Sequence, residues 1–389
     1  LFHITTAFIL GFANLILLKN IFDKKIFKKS KLIYFLSLIF FVFFNIFFYR
    51  LAEHGTDRSG QILVIICIIY LLYLITNSSD ILDQKNKDVM KFFSISLCLL
   101  ISIKPFFLIY FPLFIIFLFY EHTRKIFINL FFSKTFIFCL LLIFFTFFYT
   151  FINSGCLIFP ATITCFEKMS WFTSLDNIRD VRIWYELWSK GGATPLFVVD
   201  DKISYISNFN WLSNWLNVYF FNKVSDFLLG LLVLSTIFFI TFFSKQINKH
   251  LPNNKPYALY IFLLICFIEW FLNHPSLRYG GYHLIALLVF IPLCLFLSKL
   301  DFDLKIFCKK ASFLILITVI VFLGRNISRL HKEYNKYKYN PLINTNYKFI
   351  GGDEKFYLRY YEHMKKNIHD YPKINIFVKE IVNTTYKKN

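Results

Sequence analysis

The chain has 389 residues, of which 57% are hydrophobic and 17% are charged, and its mean hydropathy is +0.56. A soluble domain of this length cannot bury so much apolar surface, so the composition excludes a soluble globular protein and predicts a membrane protein. The formal charge of +20 falls in short lysine clusters between apolar segments, a pattern that is typical of topology signals and argues against nucleic acid as a partner.

Apolar runs near the length that a spanning helix needs, about 20 residues, recur along the chain. The run 92–120 is too long for one span and is broken at Lys104-Pro105, because proline removes a helix hydrogen bond and restricts the residue before it. We therefore predict an all-α, polytopic transmembrane helix bundle with about ten membrane segments. They lie at 1–18, 32–49, 61–76, 92–103, 105–120, 135–152, 227–243, 257–273, 280–298 and 311–324.

Lysine and arginine in the short loops predict the orientation, because cytoplasmic loops carry the excess of positive charge. The cytoplasmic loops are then 19–31, 77–91, 121–134, 244–256 and 299–310. Four regions follow from this topology. They are N-terminal transmembrane helices (1–152), a large extracytoplasmic loop with an interfacial helix (153–226), C-terminal transmembrane helices (227–324) and a small, basic extracytoplasmic tail (325–389).

The same topology starts the chain outside, at Leu1 rather than at a methionine. We therefore expect that a preceding helix and loop are missing from this sequence, which would be truncated at its N-terminus.

The loop YRLAEHGTDRSGQ (49–61) gathers Glu53, Asp57 and Arg58 at a membrane surface. Carboxylates in such a place can act as general base or metal ligand, and an arginine can hold a phosphate. The alternative is that Asp57 caps the helix that follows. Lys104, at the helix break, either faces a polar cavity or extends its ammonium to the interface.

A tight turn between two helices (273–283) combines His274, Arg278 and Tyr279. A guanidinium binds phosphate through two parallel bonds, so the turn is predicted to grip a phosphate together with a sugar hydroxyl. The alternative is an ordinary interfacial belt, since tyrosine is common at that depth. Glu269, an ionisable group within the membrane, is by default a functional candidate.

The outer segment contains Cys156 and Cys165, which we predict to form a disulfide because the other cysteines lie in apolar spans or at the cytoplasmic border. No metal site is predicted there, since neighbouring ligands lack suitable spacing. Residues 171–192 have helical periodicity and fit an interfacial helix, with Arg179 and Arg182 as anion-binding candidates on polar faces. The tryptophans of this helix suit either membrane anchoring or stacking against carbohydrate.

In order along the chain, YRLAEHGTDRSGQ, the break at Lys104-Pro105, SGCLIFPATITCF followed by Trp171, and HPSLRYGG resemble the GT-C type of integral membrane glycosyltransferase. The likeness is closest to multispanning proteins of bacterial surface-polysaccharide synthesis. It implies a multi-pass enzyme of the bacterial cytoplasmic (inner) membrane. The implied reaction transfers a sugar from a polyprenyl-phosphate donor to a glycan acceptor on the extracytoplasmic face, in contact with membrane lipid.

With this resemblance, the candidate catalytic acids are Asp57 and Glu53. The family's main catalytic carboxylate is expected in a loop before Leu1, which makes Asp57 a second acidic site. No cofactor is certain, and a divalent metal stays open. The candidate substrate-binding residues are Arg58, Lys104, His274, Arg278, Tyr279, Arg179 and Arg182.

Two other functions stay open on the sequence. A polymerase or ligase of O-antigen or capsule also uses lipid-linked sugars and outer arginines. A flippase or transporter of lipid-linked sugar would need charged residues midway in several helices and an internal repeat. The predicted spans are nearly free of charge, which favours chemistry at the membrane surface.

Overall fold

The computed structural model describes residues 2–23, 26–27, 30–50, 56–76, 84–194, 197–244, 256–301 and 303–337. The α-helices are α1 (Phe2–Phe22), α2 (Lys31–Phe47), α3 (Asp57–Thr76), α4 (Gln84–Ile103), α5 (Leu113–Ile116), α6 (Glu121–Leu130), α7 (Lys134–Ser154), α8 (Leu175–Lys190), α9 (Lys202–Ile206), α10 (Leu212–Trp215), α11 (Ser225–Phe242), α12 (Tyr257–Asn273), α13 (Gly281–Ser298) and α14 (Leu304–Tyr337). Short 3-10 helices cover Pro105–Tyr110, Phe117–Phe119, Thr162–Thr164 and Leu277–Tyr279. The described residues contain no β-strand, so the predicted all-helical class is confirmed.

Among the described residues, five helices are long and apolar enough to cross a membrane, and the chain is a membrane protein. They are Asp57–Thr76, Lys134–Ser154, Leu212–Phe242, Gly281–Ser298 and Leu304–Asn335. Shorter apolar helices lie at Thr6–Phe22, Lys31–Phe47, Pro105–Phe119 and Tyr257–Asn273. The chain divides into a large unit, Leu1–Phe322, and a second unit, Leu323–Asn389. The described part of the second unit is helical and contains an ion pair between Arg329 and Glu333 at 2.8 Å.

The core lies around α2 and α3, which are apolar on all sides and buried on all sides. In α3, 89% of the most apolar window is buried, whereas in α7 the share is 6%. A helix that is hydrophobic all round is either buried in protein or exposed to lipid. α3 is the buried case and lies at the centre of the bundle, whereas α7 is the lipid-exposed case and lies at its periphery.

Polar pairs join α1 to the central helices. Asn14 and Asn45 exchange amide hydrogen bonds at 3.1 and 2.9 Å, and the hydroxyls of Thr6 and Ser59 lie 3.2 Å apart. Apolar contacts alone drive association weakly in lipid, so such bonds help to fix neighbouring helices against one another.

Several predicted segments differ from the structure in their bounds. The helix predicted at 92–103 begins at Gln84, and the helix predicted at 311–324 extends over Leu304–Tyr337. The span predicted at 227–243 begins earlier, because the helix runs without interruption from Leu212 to Phe242 and is π-helical over Leu216–Val224. Asn217, Asn222 and Asp226 lower the hydropathy of its first turns, which is why the sequence pattern placed the start too late. The segment predicted as one helix at 105–120 is a series of short helical turns instead, since Pro112 interrupts it.

Contacts at the two ends of α3 join it to different neighbours. At its first residue, Asp57 meets Lys104 from the end of α4. At the opposite end, the hydroxyls of Thr76 and Ser30 lie 3.5 Å apart. The first residue of α3 therefore lies beside the break after α4, and its last residue lies beside the residue that precedes α2.

Candidate functional site

A carboxylate at the first residue of α3 holds two cations. Asp57 Oδ1 accepts a hydrogen bond from Lys104 Nζ at 2.5 Å, and Asp57 Oδ2 accepts one from Arg278 Nε at 2.6 Å. Charge-assisted bonds of this kind are strong, and two cations with one carboxylate leave a net charge of about +1. We call these three residues the Asp57 cluster.

The Asp57 cluster presents its cations to the surface. The carboxyl side chain of Asp57 is 9% exposed, whereas the side chains of Lys104 and Arg278 are 31% and 50% exposed. An anion that approaches this end of the bundle therefore meets the ammonium and the guanidinium first. The acid behind them holds both in place.

The helix break brings Lys104 to Asp57. Lys104 has an extended backbone, with φ −156° and ψ 115°, and Pro105 starts the next turn. The sequence dictates this geometry because a residue before proline is displaced from the helical region. The segment also packs closely on α3, since Gly60 has no side chain and a Cβ there would overlap the ring of Phe107.

Buried hydrogen bonds fix the backbone of the loop that carries Arg278. Gln61, fully buried on α3, donates from Nε2 to the carbonyl of Arg278 at 2.7 Å and accepts the amide of His283 at 3.3 Å. Trp270 Nε1 donates to the carbonyl of Ser276 at 2.8 Å. The loop is therefore held by side chains from α3 and α12.

The π-helical segment Leu216–Val224 contributes further bonds to the same loop. Tyr219, within this segment, accepts the amide of Leu277 at 2.9 Å, and Trp215, just before it, donates from Nε1 to the carbonyl of Pro275 at 2.8 Å. π-Helical turns occur frequently at functional sites. Tyr219 and the preceding Trp215 therefore both bond to the loop that presents Arg278.

His274 and Tyr279, both predicted to bind substrate, flank the cluster. Lys104 Nζ lies 4.9 Å from the ring centroid of Tyr279, and the ring of His274 lies 5.9 Å from the same centroid. Burial lowers the pKa of His274 to about 4; the charge of Glu186 opposes this shift, and cations including Lys104 and Arg182 reinforce it. His274 is therefore neutral at physiological pH, and its buried Nδ1 has no hydrogen-bond partner in the described part of the chain.

The other predicted arginines have different surroundings from Arg278. Arg58 directs its guanidinium to the ring of Phe48, with Cζ 5.5 Å from the ring centroid. Arg179 pairs with Asp176 within α8 at 3.8 Å, and both side chains are largely exposed, so this pair contributes little to stability. Arg182 is exposed on α8, near enough for its charge to act on His274.

The structure describes most of the remaining predicted residues. Glu53 lies outside the described residues. A disulfide joins Cys156 and Cys165. Glu269 accepts a hydrogen bond from Asn273 at 3.3 Å within α12. Within the described ranges, no group of three or more His, Cys, Asp or Glu side chains has the arrangement of a metal site.

The residues that hold the Arg278 loop were not predicted from the sequence; they are Gln61, Trp215, Tyr219 and Trp270. A signal for Gln61 exists in the sequence, since it is a lone amide in the apolar run after Asp57. A polar group in such a run needs a partner inside the membrane. Which backbone carbonyl it meets depends on tertiary contacts that the sequence pattern does not encode.

Residues 1–285 match the family described as a domain of unknown function, DUF8201, and the chain belongs to that family. No curated protein and no solved structure matches the chain significantly.

Proposed function

We propose that the chain is a GT-C-like glycosyltransferase of the bacterial cytoplasmic membrane, which transfers a sugar from a polyprenyl-phosphate donor at the extracytoplasmic face. The observation that carries this proposal is the Asp57 cluster, with its two exposed cations over one buried carboxylate at the end of an apolar helix bundle. A lipid phosphate requires this combination, because its anion needs cationic donors at the bilayer surface while its tail needs apolar surroundings.

The same cluster can supply the proton chemistry of transfer. Both oxygens of Asp57 bind cations in the structure. A donor phosphate that binds Lys104 and Arg278 competes for these bonds and releases a carboxylate oxygen, which then acts as general base. Asp57 takes the proton of the acceptor hydroxyl, the hydroxyl oxygen bonds to the anomeric carbon, and the bond from that carbon to the phosphate oxygen breaks. The products are the glycosylated acceptor and polyprenyl phosphate.

The proposal includes the membrane topology, with ten membrane segments and the Asp57 cluster outside. The contacts of α3 support it, since Asp57 meets Lys104 from a predicted outer turn, and Thr76 at the other end lies beside Ser30 from a predicted cytoplasmic loop. The lysine content of the predicted cytoplasmic loops also supports it. Reporter fusions at residues 191–194 and at residues 77–83, within the predicted cytoplasmic loop 77–91, test it. We expect an extracytoplasmic reporter to be active only at 191–194. Activity only at 77–83 would reverse the sidedness and remove the access of an extracytoplasmic donor to the site.

The test of transfer uses membrane vesicles that contain the full chain and its native glycan acceptors. Polyprenyl-phosphate donors with labelled hexoses are supplied, and incorporation into lipid-extracted glycan is measured. We expect Arg278→Ala to reduce incorporation by about 100-fold, since a charge-assisted bond to phosphate contributes about 1.5–3 kcal/mol. Arg124→Ala, which removes a guanidinium on α6, is the matched control and keeps wild-type incorporation. Equal incorporation by the Arg278 and Arg124 variants would contradict the proposal.

A further inference from the structure

A bent aromatic surface begins at the Asp57 cluster. Tyr279 follows Arg278 directly, and its ring centroid lies 5.2 Å from that of Trp188 and 6.2 Å from that of Tyr185. The planes of Trp188 and Tyr279 are inclined by 56°. Because Lys104 Nζ lies 4.9 Å from the Tyr279 centroid, the aromatic surface and the cations are immediate neighbours.

The rings of Tyr185, Trp188 and Tyr279 are not fully buried in the core. Tyr185 is 37% exposed, and Trp188 and Tyr279 are half-buried. A tryptophan or tyrosine that serves only as a membrane anchor lies at the lipid interface. Here two aromatic residues of α8 contact the loop that carries Arg278, so the contact joins the outer segment to the cation site.

The end of α8 that carries Trp188 is firmly held. Lys190 is buried, and its Nζ donates to Glu186 Oε1 at 2.6 Å and to the carbonyl of Ile206 at 2.8 Å. The same ammonium lies 5.2 Å from the ring centroid of Trp211. A binding surface that is rigid before the ligand arrives loses less conformational entropy on binding.

We infer that Tyr185, Trp188 and Tyr279 form the subsite for the donor's sugar, and that this sugar is a pyranose. The inference rests on the proposed function. In a polyprenyl-phosphate sugar the phosphate is bonded directly to the anomeric carbon, so a phosphate on Lys104 and Arg278 places the sugar ring at the adjoining surface. The axial C–H groups of a pyranose form an apolar face that packs against aromatic rings.

The test compares two kinds of probe on the full chain in lipid nanodiscs. One is farnesyl phosphate, and the others are its esters with glucose, galactose and N-acetylglucosamine. We expect at least one ester to bind more tightly than farnesyl phosphate. Trp188→Ala should weaken binding of that ester by roughly 3- to 10-fold, the effect of one aromatic contact, and leave farnesyl phosphate unchanged. Trp188→Phe, which keeps an aromatic ring, should retain most of the affinity.

Trp171→Ala is the matched control, because Trp171 contacts Phe151 and belongs to the disulfide region. It should leave all affinities unchanged. If no ester binds more tightly than farnesyl phosphate, or if Trp188→Ala weakens the ester and farnesyl phosphate equally, the sugar subsite is overturned while the phosphate site stands. If the wild type binds neither kind of probe, the proposed function itself fails and the inference fails with it.

Discussion

Asp57 and Gln61 lie one helical turn apart on α3, and both bind Arg278. Asp57 accepts a hydrogen bond from the guanidinium at 2.6 Å, while Gln61 donates one to the backbone carbonyl at 2.7 Å. Residues four apart lie on one face of a helix. One face of α3 therefore fixes both the side chain and the backbone of Arg278, which gives the cation a defined position at the end of the bundle.

The pair Asp57 and Arg278 is expected to be energetically coupled. A double-mutant cycle with Asp57→Asn and Arg278→Gln should give a coupling energy of about 1–2 kcal/mol in the free energy of unfolding, measured by denaturant titration in micelles. Asp176 and Arg179 form an exposed pair at 3.8 Å and supply the control cycle. Their coupling should stay below about 0.5 kcal/mol. Equal couplings in the two cycles would contradict a strong, partly buried pair.

Replacing Gln61 with methionine keeps the side-chain volume and removes both hydrogen bonds. Because the Arg278 carbonyl and the His283 amide then lose a partner, the free energy of unfolding should fall by about 1–3 kcal/mol. Farnesyl phosphate should also bind more weakly, since Arg278 is less well positioned. Gln84→Met is the control, as Gln84 is exposed and its amide bonds to Asp88 one turn along α4; its effect should stay within about 0.5 kcal/mol. A Gln61 variant that loses stability and keeps full affinity would limit Gln61 to a structural role.

A methyl group at position 60 should disturb the approach of Lys104 to Asp57. The added Cβ of Gly60→Ala overlaps the Phe107 ring, so the helix-break segment must move, at a cost of about 1–3 kcal/mol. Gly11→Ala on α1 meets nothing within 4 Å and should be neutral or stabilising by up to about 1 kcal/mol. Thermal unfolding of the two variants compares these effects directly. A Gly60→Ala protein as stable as Gly11→Ala would show that the contact with Phe107 is loose.

The lowered pKa of His274 predicts a loss of stability in acid. Burial lowers the pKa from 6.5 to about 4, so the unfolded chain binds a proton that the folded chain does not bind in this interval. The associated stability is present above about pH 6.5 and falls as the pH decreases towards 4. At pH 5 the loss is about 2 kcal/mol. The melting temperature of His274→Gln should therefore decrease less than that of the wild type between pH 7 and pH 5, and parallel decreases would contradict the assignment.

The sequence predicted the parts of the fold that depend on local chemistry. The helical class follows from apolar runs, and the break at Lys104 follows from Pro105. Asp57, Lys104 and Arg278 were all predicted as site residues, and the structure brings them together. The aromatic contact between Trp188 and Tyr279 was not predicted, because it depends on how α8 packs on a loop far along the chain.

One choice among the arginines could not be made from the sequence. Arg58 and Arg278 have the same chemistry and equally polar neighbours, but helix geometry directs adjacent residues of α3 to different sides. Asp57 therefore meets Arg278, while Arg58 meets Phe48. The start of α10 was also missed, since the polar residues of the π-helical segment conceal a continuous helix from a hydropathy window.

The binding of farnesyl phosphate to the full chain in nanodiscs tests most directly whether the Asp57 cluster is a lipid-phosphate site. Lys104→Ala and Arg278→Ala each remove one cation, and Arg124→Ala removes a cation from α6. We expect each of the first two variants to bind at least about 10-fold more weakly than the wild type, and Arg124→Ala to bind equally well. Equal affinity in all four proteins would contradict the assignment of this cluster to a phosphate.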